Sequence, residues 1–185
     1  MNLKALTSAL LIAGLAASPA FAETGSITFT GSVANVTCTV QGENSGSPNF
    51  TVDMGSISAG EFANVGDYHG SVGFRIRVGG EGEKSCPDGT KVWAHFDADG
   101  TLVDARTGMV KVTNGANAAS GVQIRLFNEN GEKIDIFNDQ KIVKQTVKDN
   151  QATIVHTAAY ERVGDIAAGQ ANGLVRYTMN FEPTS

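Results

Sequence analysis

The chain has 185 residues, 22 of them glycine and 4 proline, and carries 14 basic against 19 acidic side chains for a formal charge of −5. An acidic balance without clustered lysine and arginine disfavours binding to a nucleic-acid backbone, which depends on such clusters. Past the first 22 residues, no apolar run approaches the roughly 20 residues that span a bilayer, which argues against membrane insertion.

The amino terminus reads as an export signal. Lys4 precedes an apolar run from Ala5 to Ala17, interrupted by Thr7, Ser8 and Gly14, and Ser18-Pro19 leads to the small-x-small site Ala20-Phe21-Ala22. Cleavage is expected after Ala22, giving residues 1–22 as a removed signal peptide. The alternative, an uncleaved anchor, is disfavoured by the shortness of the run. Removal takes away Lys4 and no acid, so the mature protein is more negative by one charge. Residues 23–185 suffice for one core and are too few for two comfortable domains.

Behind the cleavage site, residues 23–34 alternate apolar and small polar side chains. Ile27, Phe29 and Val33 fall on one face with Gly31 between them, because successive strand side chains point to opposite sides. Such a strand needs a partner groove, in its own chain or in another. Cys38 and Cys86 follow, with no third cysteine to compete, and in an oxidising compartment the default is one disulfide. Two free thiols remain the alternative; a metal pair is less favoured, since neither has a His or Cys neighbour at ligand spacing.

Period two continues along the chain. Val72, Phe74, Ile76 and Val78 alternate with Gly73, Arg75 and Arg77, and Val92, Ala94 and Phe96 alternate with Trp93 and His95. Val110 and Val112 flank Lys111, and Val122, Ile124 and Leu126 alternate with Gln123 and Arg125. Ile154, His156, Ala158 and Tyr160 form another such series, as do Val175, Tyr177, Met179 and Phe181. These read as half-buried strands. Asp88-Gly89, Asp99-Gly100, Asn114-Gly115 and Asn130-Gly131 supply tight turns, and the stretches 42–48 and 79–82 read as loops. No segment sustains a capped 3.6-residue period, so helix should be limited to the signal and a turn or so elsewhere. The expected fold is an all-β antiparallel sandwich.

Candidate chemistry is sparse. His69, His95 and His156 show no ligand spacing, and they are expected to be solvated or hydrogen-bonded. Asp97-Ala-Asp99-Gly100 superficially resembles a calcium loop, but the closing position holds Gly108 instead of glutamate. Asp135 and Asp139 read as surface acids and Trp93 as a packing residue, and no Gly-x-Ser-x-Gly elbow is present. No catalytic residue, cofactor or metal site is expected.

Three segments carry a resemblance. Gly25-Ser-Ile-Thr-Phe-Thr-Gly-Ser-Val-Ala-Asn-Val-Thr-Cys38, Gly121-Val-Gln-Ile-Arg-Leu-Phe-Asn-Glu-Asn-Gly131 and Gly169-Gln-Ala-Asn-Gly-Leu-Val-Arg-Tyr-Thr-Met-Asn-Phe181, together with Ala159-Tyr160, are similar to chaperone/usher fimbrial pilins. The chain is similar to type 1 fimbrial major subunits among them. Members of that family place a glycine twelve residues before a near-terminal aromatic, the separation of Gly169 and Phe181. Here Phe181 is followed by Glu-Pro-Thr-Ser, where the family aromatic is usually penultimate, and Pro183 is expected to end the strand near Glu182.

The resemblance implies an incomplete immunoglobulin-like sandwich, completed by a donor strand from a neighbouring subunit. Residues 23–34 would be the donor extension, with Ile27, Phe29 and Val33 as plugs and Gly31 at a close approach, and 35–185 the pilin domain. Gly169, Val175, Tyr177, Met179 and Phe181 would form the acceptor groove and chaperone contact. Implied partners are further copies of the chain, other pilus subunits, a periplasmic chaperone and an outer-membrane usher. The implied function is a structural subunit of a fimbria that supports cell adhesion, exported through the periplasm to the cell surface. The alternative is a minor or tip-proximal subunit, or a monomeric sandwich closed by residues 25–33 of its own chain, that binds a host glycan or protein.

Overall fold

The computed structural model describes residues 37–113 and 115–184. The segment holding Ile27, Phe29, Gly31 and Val33 lies outside them, as do Asn114 and the cleavage region.

The described residues form two antiparallel sheets. In chain order the strands are β1 (Val40–Gly42), β2 (Tyr68–Gly79), β3 (Lys91–Phe96), β4 (Val103–Asp104), β5 (Met109–Val110), β6 (Ser120–Phe127), β7 (Gln145–Thr146), β8 (Gln151–Ala167) and β9 (Tyr177–Glu182). Six strands make the larger sheet in the order β1-β2-β8-β6-β5-β4, and the smaller runs β7-β3-β9. A single 3-10 turn, Ala59–Glu61, is capped by the Ser58 hydroxyl accepting from the Gly60 N–H.

The alternation sets the faces. Phe74, Ile76 and Val78 of β2 are buried while Arg75 and Arg77 are exposed, and Val92, Ala94 and Phe96 of β3 are buried against exposed Lys91 and His95. Strand β6 departs from this. Ile124 and Leu126 face the core, yet Arg125 and Phe127 are buried too: Arg125 donates to the Thr107 and Ile134 carbonyls and to Glu161, and Phe127 packs on the Tyr68 ring at 5.0 Å between centroids. At Gly121, with φ +73°, the β6–β8 register slips, and a Cβ there would stand 2.2 Å from the Asp165 carbonyl oxygen. Only glycine permits that bulge.

The core falls into two clusters, one around Phe74, Ile124, Leu126 and Tyr160 and one around Ile76, Val78, Val92 and Ile154. Cys38 and Cys86 are disulfide-bonded, 4.7 Å apart at Cα, and tie the start of β1 to the β2–β3 loop. Glu83 reinforces the tie by accepting from both the backbone N–H and the hydroxyl of Thr39 at 2.7 Å.

Two local expectations change. The strand at Val110 to Val112 shrinks to Met109–Val110, since Val112 bridges Gly173 instead. Before β8 the chain reverses at Asp149-Asn150, with φ +52° and +62°, a tight turn built without glycine.

Candidate functional site

Between the sheets lies an elongated cleft of about 1270 Å³. Its floor comes from core side chains of the larger sheet, among them Phe74, Ile76, Ile124, Leu126 and Ala158, with Phe96 from β3. One lip is the extended segment 48–55, in which half-buried Phe50, Val52 and Met54 alternate with exposed Thr51, Asp53 and Gly55. The other lip is residues 171–179, including the first turn of pleat in β9.

Both lips leave backbone groups without ladders. Strand β9 pairs with β3 along one edge, from Lys91↔Glu182 to Phe96↔Tyr177, and among the described residues no strand covers its other edge. Residues 49–57 form no backbone–backbone hydrogen bond among the described residues; the Gly55 N–H donates to the Asp53 carboxylate. The second lip is anchored from behind. Gly173 bridges Val112, and Tyr160 donates its hydroxyl to the Ala171 carbonyl at 3.2 Å. The floor is apolar, while the rims add polar Asn49, Thr51 and Asn172 and charged Asp53, Asp97 and Arg176, the last paired with Asp99 at 2.9 Å. Burial raises the Tyr177 phenol above its ordinary pKa, and burial followed by the nearby Asp53 charge does the same for Tyr160, so both remain neutral donors. Among the described residues, then, both rims of the trough carry backbone groups outside any ladder, as an edge strand does.

A model of the fimbrial protein family matches residues 27–182. The chain belongs to the fimbrial protein family. This fimbrial protein is 30% identical to the F17 fimbrial protein of Escherichia coli over 93% of its own length and 95% of that relative. It is also 30% identical to the major fimbrial subunit SMF-1 of Stenotrophomonas maltophilia, covering 90% of its length and 99% of the relative. A solved chaperone-usher pilus structure superposes with a TM-score of 0.55 at 18% identity, over 89% of this chain and 100% of that one, which identifies the fold as the pilin immunoglobulin-like sandwich. The fimbrial protein is a structural pilus subunit.

Of the groove residues named from sequence, Val175, Tyr177 and Met179 line the cleft. Phe181 stands opposite Val92 and packs on the second core cluster. Gly169 packs elsewhere, where a Cβ would lie 2.6 Å from the backbone of residues 117–119. Phe50, Val52 and Met54 went unread, although their alternation in Asn49-Phe-Thr-Val-Asp-Met54 was a visible signal.

The remaining candidates resolve locally. His156 is buried between Phe74 and Phe96, at 5.6 and 5.1 Å between ring centroids, with Nδ1 3.2 Å from the Phe127 carbonyl. The Asp135 carboxylate accepts from the backbone N–H groups of Phe137 and Asn138 and from the Asn138 amide, closing a turn. Trp93 carries the Lys144 ammonium 4.4 Å above its ring. Among the described residues no three His, Cys, Asp or Glu side chains converge as metal ligands.

Proposed function

We propose that the cleft is an acceptor groove for residues 25–33 of another copy of the same chain, so that subunits polymerise non-covalently by donor-strand exchange. The observation that carries this reading is the pairing of an apolar floor with two rims of unladdered backbone, in a chain whose segment preceding the described domain alternates Ile27, Phe29 and Val33 around Gly31. A strand laid between β9 and residues 49–55 would extend the smaller sheet to the order β7-β3-β9-donor-lip. Its backbone would pair with both rims, and Ile27, Phe29 and Val33 would each contribute roughly 1.5 to 3 kcal/mol by burial.

An unfilled groove of this kind is an aggregation hazard, which supports a chaperone holding it during transit of the periplasm and an outer-membrane usher at the surface. The activity is strand exchange and no catalysis is assigned. Residues 1–22 act as the signal peptide and 23–34 as the donor extension of a pilin domain spanning 35–185.

Denaturing electrophoresis of the mature protein, with and without boiling, tests the reading. Trapped polymers should run as a ladder that collapses to one band on heating. A single monomer band in both lanes would mean that residues 25–33 close their own sandwich.

A further inference from the structure

The two lips of the groove touch at one place. The Tyr177 hydroxyl donates to the Pro48 carbonyl at 2.7 Å, a contact between residues 129 positions apart in the chain. Edge-on to the Tyr177 ring, at 6.4 Å between centroids, stands Phe50, itself 6.1 Å from Phe74 on the floor. Phe50 is seated in a notch that only glycine leaves open, since a Cβ on Gly42 would lie 2.1 Å from its ring. No other side-chain hydrogen bond joins residues 48–55 to residues 171–179 among the described residues.

We propose that this Tyr177–Pro48 hydrogen bond is a clasp that holds the unfilled groove narrowed and sets the rate at which a donor strand enters. The inference rests on the strand-exchange reading. A strand laid along the outer edge of β9 must pass between β9 and the 48–55 lip, because adjacent strands sit about 4.8 Å apart and the lip is the next rim over. The direct bond from Tyr177 to Pro48 spans that path. Entry therefore requires the bond to break and the Phe50 ring to part from Tyr177, while the completed sheet no longer needs either contact. Tyr177 is in this sense a positioning residue whose hydroxyl acts on rate, with its ring remaining as apolar wall.

The test uses the full mature chain with its disulfide intact, unfolded in denaturant and diluted to refold, with samples taken over time to unboiled denaturing gels. Tyr177→Phe keeps the ring and removes the clasp. The ladder is expected to form between about two-fold and ten-fold faster than wild type, the range that one neutral hydrogen bond spans. Equal or slower assembly by Tyr177→Phe, beside a wild type that does form ladders, overturns the clasp and leaves strand exchange standing. A wild type that forms no ladder removes both. A second readout is independent of assembly: chymotryptic cleavage after Phe50, which requires its ring to leave Tyr177 and Phe74, should speed up several-fold in Tyr177→Phe before ladders appear. Identical cleavage rates in the two proteins also overturn the clasp.

Discussion

Glu161 is a buried carboxylate held by two cations. Burial pushes its carboxyl up, and hydrogen bonds from Arg125 and Lys133 outweigh that and hold it below the usual carboxylate range. Arg125 meets it at 3.0 and 3.2 Å, Lys133 at 3.0 Å, and Arg125 also donates to the Thr107 and Ile134 carbonyls. Removing one partner strands a buried charge, so Glu161→Leu is expected to cost about 3–5 kcal/mol in a denaturant titration, and Arg125→Met in the same chain to recover much of it. His156 acts in the opposite chemical sense but the same pH direction. Burial lowers its pKa from 6.5, so the unfolded chain binds a proton there that the folded chain resists. Stability is then full above pH 6.5 and declines as pH falls below it. Asp104, lowered from 3.8 to about 2 chiefly by the Arg106 backbone N–H and the Gln123 amide, adds a separate loss between those values. In His156→Phe the decline beginning at pH 6.5 should disappear while the acid limb below 3.8 persists, as followed by thermal melting across pH.

Among the elements, β1 is a three-residue strand with a disulfide just before its start. Its three residues pair with Ile76 to Val78, and the Cys38–Cys86 bond plus the Glu83–Thr39 contacts hold its start. The bond closes a sequence separation of 48, worth about 4 kcal/mol in the chain-entropy account. Cys38→Ser with Cys86→Ser should therefore lower the melting temperature sharply, with the loss read as a calorimetric shift relative to wild type. The long strands were legible where one face is buried and the other open, as β2 buries every second residue from Phe74 to Val78 and β8 from Ile154 to Ala158; from Ala158 to Glu161 both faces of β8 are buried and the period is lost. The Asp149-Asn150 turn was not, because its positive φ angles are carried without the glycine that normally announces them. The cleft was legible on one side only. Val175, Tyr177 and Met179 sit in a strand-like alternation, whereas the opposing Phe50, Val52 and Met54 lie in a segment that pairs with no strand among the described residues. Their alternation is visible in the sequence, but what it faces lies more than a hundred positions away, at residues 171–179.

At the scale of the whole molecule, the proposed donor segment and acceptor groove on one chain would make a heterologous contact. Such contacts generate open filaments when the operation does not close. The proposal then has a combinatorial consequence that no monomeric sandwich shares. Phe29→Asp puts a charge in the donor face, giving a subunit that can accept a strand but not supply one. Val175→Asp puts a charge on a half-buried groove wall that stays partly exposed while the groove is empty, so the monomer tolerates it, giving a subunit that can supply but not accept. Each variant alone should run as monomer on unboiled gels. Mixed in equal amounts and refolded together, they should form one species only, a heat-labile dimer joining the Val175→Asp extension to the Phe29→Asp groove. Longer ladders from the mixture, or ladders from either variant alone, would place the polymer contact somewhere other than this groove. No dimer from two variants that each retain the wild-type melting curve would mean that the two surfaces do not recognise each other.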